Sequence, residues 1–96
     1  MTAERITVHL DITGAVQGVC YRASMQTEAR RLGLDGWVRN RSDGRVEALV
    51  QGSPAQVQDI TAWCHKGPPQ SRVQSVTSTT VDARERCAGF ACRDTL

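Results

Sequence analysis

Ninety-six residues, 23% of them charged and 40% hydrophobic, describe one globular domain over residues 1–96 and exclude a disordered chain. The formal charge of +2, with acidic and basic residues interleaved, argues against a nucleic-acid partner, since such binders gather their basic residues on one face. No signal-peptide pattern or long apolar run points to a membrane, and four cysteines without a CxxC pair read as reduced thiols of a cytoplasmic protein.

Along the chain, Ile6, Val8, Leu10 and Ile12 alternate with Thr7, His9, Asp11 and Thr13, the period of a strand with one buried face. Two glycines then mark Gly14 to Val19 as a loop. From about Ala23, Met25, Ala29 and Leu32 fall on one helical face, with Gly33 placed as a C-terminal cap. Trp37 to Asn40 and Arg45 to Gln51 flank Asp43-Gly44, which predicts a hairpin.

Ser53-Pro54 reads as an N-cap with proline at the first helical position. Val57, Ile60, Trp63 and Cys64 share the face of that second helix, which Gly67-Pro68-Pro69 ends. A strand over about 72–81 and a shorter one over about 88–92 complete the order βαββαβ. The expected class is α+β: a ferredoxin-like split βαβ sandwich, with two helices on one face of an antiparallel sheet of four or five strands. Trp37 and Trp63 are both expected in the core, which leaves no aromatic platform for RNA on the sheet.

The loop before the first helix is the chief functional candidate. A glycine-containing loop entering a helix offers free backbone N–H groups, and the positive end of the helix dipole points the same way. Arg22 adds a planar donor fork suited to phosphate oxygens. The Gly-Lys-Ser/Thr ending of a Walker loop is absent, and Cys20 is too close to Arg22 to be the nucleophile of a cysteine phosphatase loop, so it is expected to pack behind the loop. Water must then attack directly. Asn40 either orients that water or simply opens the hairpin turn.

These segments carry a resemblance. Gly14-Ala15-Val16-Gln17-Gly18-Val19-Cys20-Tyr21-Arg22 closely resembles the first acylphosphatase signature, and Gly36-Trp37-Val38-Arg39-Asn40 with Gly44, Val46 and Gly52 resembles the second. The similarity spans roughly residues 6 to 92. It implies hydrolysis of acyl phosphates to carboxylate and inorganic phosphate by a free-standing, cofactor-free and metal-independent enzyme, expected to be a monomer. By the same resemblance Arg22 binds the phosphoryl group, Asn40 positions water, and the backbone amides of Gln17, Gly18, Val19, Cys20 and Tyr21 complete a cradle. Tyr21 departs from the family, which mostly carries Phe there. The remaining candidates, His9, His65, Asp43 and Glu47, read as turn and surface residues, and Cys87, Cys92 and His65 have no recognised metal-binding spacing. A non-catalytic anion- or RNA-binding module of the same fold is the alternative.

Overall fold

The computed structural model describes residues 4–82 and 86–96. Met1 to Ala3 lie outside them. Among the described residues seven elements follow in order: β1 (Ile6–Ala15), α1 (Tyr21–Arg31), β2 (Asp35–Asn40), β3 (Val46–Gly52), α2 (Pro54–Lys66), β4 (Arg72–Thr80) and β5 (Phe90–Cys92). The strands form one sheet in the order β4-β1-β3-β2-β5. Its first four strands pair antiparallel, as expected of the ferredoxin-like class, while β5 joins β2 in parallel. The sheet is therefore mixed rather than wholly antiparallel. A strand of three residues carries no signal in its sequence for the direction of its pairing.

Strand alternation divides the sheet into two faces. Val8, Leu10 and Ile12 of β1, Val46, Ala48 and Val50 of β3, and Val38 of β2 are buried, together with Met25 and Ala29 of α1 and Val57, Ile60 and Cys64 of α2. Both helices therefore cover one face. The opposite face carries His9, Asp11, Glu47, Trp37 and Arg39, none of which belongs to the core cluster.

Local chemistry fixes the helix ends. After α1, Gly33 donates to Arg30 O and Leu34 to Ala29 O, the paired bonds of a Schellman motif built around a glycine with φ +76°. At the start of α2, Ser53 accepts from the Gln56 N–H while the Gln56 side chain accepts from the Ser53 N–H, a complete capping box ahead of Pro54. Near the end of β1 the register with β4 shifts between Thr13 and Gly14. A Cβ on Gly14 would stand 2.2 Å from Arg72 O at a φ of +122°, so only glycine fits where the chain bends toward the loop.

Candidate active site

The loop that leaves β1 is anchored by Val16, which is buried, and then turns through two left-handed residues, Gly18 (φ 76°) and Cys20 (φ 62°). A non-glycine residue in that region costs about 1–2 kcal/mol, and left-handed residues of this kind are an ingredient of the backbone turns that bind anions. Cys20 is the N-cap of α1 and its side chain makes no capping hydrogen bond. The first helical bond, from Ser24 N–H to Cys20 O, spans 2.9 Å. The N–H groups of Tyr21, Arg22 and Ala23 thus have no acceptor within the helix, and the dipole's positive end is uncovered.

Cys20 does not pack behind this loop as the sequence led us to expect. It is exposed and lines a pocket, and the residue behind the loop is Tyr21. The Tyr21 ring is buried against Trp63 at a centroid distance of 5.4 Å, and its hydroxyl donates to Cys64 O at 2.7 Å. The hydroxyl that sets Tyr21 apart from phenylalanine thus finds a partner among the unsatisfied carbonyls at the end of α2. Burial, then the neighbouring Cys64, pushes the phenol well above its ordinary value, and burial pushes the Cys64 thiol up to about 12. Neither group ionises near neutrality.

The second half of the site comes from the hairpin. Arg41 N–H donates to Arg45 O at 2.8 Å and Gly44 N–H to Arg41 O at 3.1 Å, closing the turn that the Asp-Gly pair predicts. Asn40 ends β2 and shares its alternation with Val38, so its side chain falls on the helix-bearing side, toward the loop. A pocket of about 300 Å³ is lined by Val16, Gln17, Gly18, Cys20, Tyr21, Arg22, Ala23 and Asn40. It brings Arg22 and Asn40, 18 positions apart in the sequence, to one concavity. Of the expected cradle residues only Val19 is not among the lining; it packs, partly buried, against the core. Asn40 Oδ1 is buried with no hydrogen-bond partner, the only such side-chain atom among the described residues. A larger concavity of about 660 Å³, bordered by Trp63, Lys66, Pro68 and Pro69, lacks both an arginine and an uncapped helix N-terminus.

Charge separates Arg22 from its neighbours. Arg39, Arg41 and Arg45, the densest positive spot in the sequence, all pair with carboxylates on the helix-free side, Arg39 and Arg41 with Glu47, and Arg45 with Asp11 and Asp43. Arg22 forms no ion pair among the described residues; one Nη lies 3.4 Å from Arg93 O. The guanidinium at the pocket is therefore not neutralised by a carboxylate among the described residues.

Glu47, expected as an ordinary surface residue, is a hub. Its side chain is only 13% exposed, and it accepts from Arg39 Nε at 2.6 Å and Arg41 Nη1 at 3.4 Å, with His9 Nε2 at 2.7 Å. Burial alone would raise its pKa, but the contacts with His9 and Arg39 outweigh that and hold the carboxyl below its ordinary value. His9, Asp11 and Glu47 lie close enough to share a cation, yet three arginines already answer the two carboxylates. Trp37 is likewise not in the core: it stands half-buried on the helix-free face, with Arg39 and Arg93 at 4.6 and 5.0 Å from its ring centroid. His65 and Asp43 are exposed at the end of α2 and in the hairpin turn, as expected.

Comparison with known proteins identifies the family. A family model described as acylphosphatase matches residues 8–92. An acylphosphatase of Acidovorax sp. (strain JS42) is 50% identical over 95 residues, covering 99% of this chain and 97% of that protein. The chain belongs to the acylphosphatase family. Among solved acylphosphatases, that of Coxiella burnetii superposes with a TM-score of 0.89 at 35% identity, covering 93% of each chain. The acylphosphatase of Bacillus subtilis gives 0.88 at 34% identity, covering 92% of this chain and 98% of that one.

Two features of this candidate site were beyond sequence reasoning. The side chain of Gln17, expected to contribute only its backbone, donates from Nε2 to Arg41 O and Arg45 O at 2.7 and 2.9 Å. Glu47 likewise bonds both residues that flank Asn40. Each depends on tertiary partners, and neither has a local signature.

Proposed function

We propose that this member of the family hydrolyses acyl phosphates to carboxylate and inorganic phosphate, with Arg22 and the loop amides holding the phosphoryl group while Asn40 holds the attacking water. The observation that carries the reading is the single pocket in which Arg22, the uncapped start of α1 and Asn40 converge.

The chemistry asks for little more. The leaving group is a carboxylate whose conjugate acid has a pKa of about 4, so it departs without prior protonation. Phosphoryl transfer passes through a loose transition state, in which the nucleophile must be placed rather than strongly deprotonated. Asn40 Oδ1, buried and without a protein donor, is an acceptor open to an O–H of that water. Arg22 and the N–H groups of 17–21 would meet the charge on the equatorial phosphoryl oxygens, in the role usually worth most to such a reaction. No metal enters this scheme, because the guanidinium and the helix terminus supply the positive charge.

The same reading takes the protein as a cytoplasmic monomer that acts on small acyl phosphates, with neither a membrane nor a nucleic acid as partner. Its modest charge supports this, as does the ion pairing of Arg39, Arg41 and Arg45 on the open sheet face. None of the described helices is long and apolar enough to cross a membrane.

The test is benzoyl phosphate hydrolysis by the purified protein in ¹⁸O-water containing excess EDTA. Rapid turnover with the label in phosphate is the expected result. Label in benzoate would place the attack at the carbonyl carbon, and absence of turnover would leave an anion-binding module.

A further inference from the structure

Arg22 and its amides belong to the loop and to α1, whereas Asn40 belongs to the β2–β3 hairpin. The sheet links them at a distance, since Ile12 of β1 pairs with Val46 and Val46 with Asn40. The C-terminal residues approach both, with Arg22 Nη1 3.4 Å from Arg93 O and Leu96 N–H donating to Asn40 O at 3.1 Å. Between the loop itself and the hairpin turn, the hydrogen-bonded link is one side chain. Gln17 Nε2 donates to Arg41 O at 2.7 Å and to Arg45 O at 2.9 Å. Those carbonyls stand on the two sides of the hairpin turn, the first directly after Asn40, and the Arg41–Arg45 backbone bond already holds them together. Among the described residues no other hydrogen bond joins residues 16–20 to residues 40–46.

Both hydrogens of a carboxamide are consumed by this pair of acceptors. The Gln17 amide nitrogen therefore has no donor left for substrate, although the residue lines the pocket. A neutral amide also meets two carbonyls without adding charge beside Arg22. A carboxylate at the same place would face them with no donor.

We propose that Gln17 is a positioning residue for the hydrolysis: its side chain straps the hairpin to the phosphate loop and so sets where water on Asn40 meets phosphorus on Arg22. This rests on the roles given to Arg22 and Asn40 above. The strap acts on the relation between the two halves and leaves the cradle itself intact, so its loss affects the chemical step more than the grip on phosphate. Misplacement of about 1 Å is enough to cost ~100-fold in rate.

The test compares wild type with Gln17→Met, which keeps the length and lacks the donors, and Gln17→Asn, one methylene too short to reach both carbonyls. For each folded variant, kcat on benzoyl phosphate and the competitive inhibition constant of inorganic phosphate are measured, beside Arg22→Ala and Asn40→Ala. The strap predicts a kcat loss of about 10- to 100-fold in Gln17→Met, a smaller loss in Gln17→Asn, and phosphate inhibition constants within about threefold of wild type. A kcat within twofold of wild type overturns it, as does a phosphate constant that weakens in step with kcat. Should Gln17→Met fail to fold, Gln17→Asn decides on the same criteria. Loss of turnover in Arg22→Ala and Asn40→Ala, with none in the Gln17 variants, overturns the strap alone. Retained turnover in those two controls removes the site reading and the strap with it.

Discussion

Arg39 and Glu47 stand directly opposite one another across the β2–β3 ladder, with Nε 2.6 Å from Oε1. The same oxygen receives Arg41, so Glu47 holds both residues that flank Asn40 from the face opposite the site. The ion pairs of the open sheet face thus brace the strand end from which Asn40 reaches the pocket.

Glu47→Gln should lower stability by about 1 kcal/mol, the scale of one part-buried charged hydrogen bond discounted for solvent screening. The pH dependence follows from the direction of the shift. The carboxyls of Glu47 and Asp35 lie below their ordinary values when folded, Asp35 chiefly through the Arg5 side chain. Their contribution is therefore complete above the unfolded value of about 4 and is lost as pH falls through the lower folded value. Urea midpoints should stay level between about pH 5 and 7 and fall below about pH 4. Glu47→Gln should lower the plateau and flatten the fall. A midpoint that rises on acidification would contradict the sign.

Tyr21→Phe tests whether the hydroxyl matters to chemistry or only to packing. The hydroxyl points away from the pocket, to Cys64 O at the end of α2. Its removal leaves a buried carbonyl without that donor and should cost about 1 kcal/mol in thermal or urea denaturation. Turnover should stay within about twofold of wild type, because the ring that supports the loop remains. A kcat loss above tenfold would instead place the hydroxyl in the reaction.

The pH profile of turnover offers a third check. Neither a guanidinium nor a carboxamide titrates near neutrality. His9 is bound to Glu47 on the far face of the sheet, and His65 is exposed at the end of α2. The kcat for benzoyl phosphate should therefore be flat from about pH 5 to 8. A limb with a midpoint near ~6.5 would bring a histidine into the mechanism.

Much of this architecture is legible in the sequence because its signals are local. The period-two run of β1, the Gly33 cap, the Ser53-Pro54 start and the Asp-Gly turn each act within a few residues, and each appears as expected. The candidate loop is legible for the same reason, since its glycines and Arg22 lie close together in the sequence. The orientation of Trp37 is not legible, because Trp37 and Val38 are both apolar and alternation alone does not say which faces the helices. Asn40 shares its parity with Val38, and its place at the pocket would have settled the choice. Cys20 was misplaced because a left-handed N-cap is rare outside glycine, and its φ of 62° turns the side chain outward rather than behind the loop. The links made by Gln17 and Glu47 cross between elements, and no local pattern encodes them.

The most direct measurement is the turnover of benzoyl phosphate by folded Arg22→Ala and Asn40→Ala beside wild type, all in excess EDTA. Removing one preorganised donor typically costs ~100- to 1000-fold, and Arg22→Ala should lose more, since binding and charge stabilisation go together. Asn40→Ala should lose ~100-fold or more while still binding inorganic phosphate, because the cradle remains. A folded Arg22→Ala or Asn40→Ala enzyme that keeps half the wild-type rate would contradict the roles given to these residues.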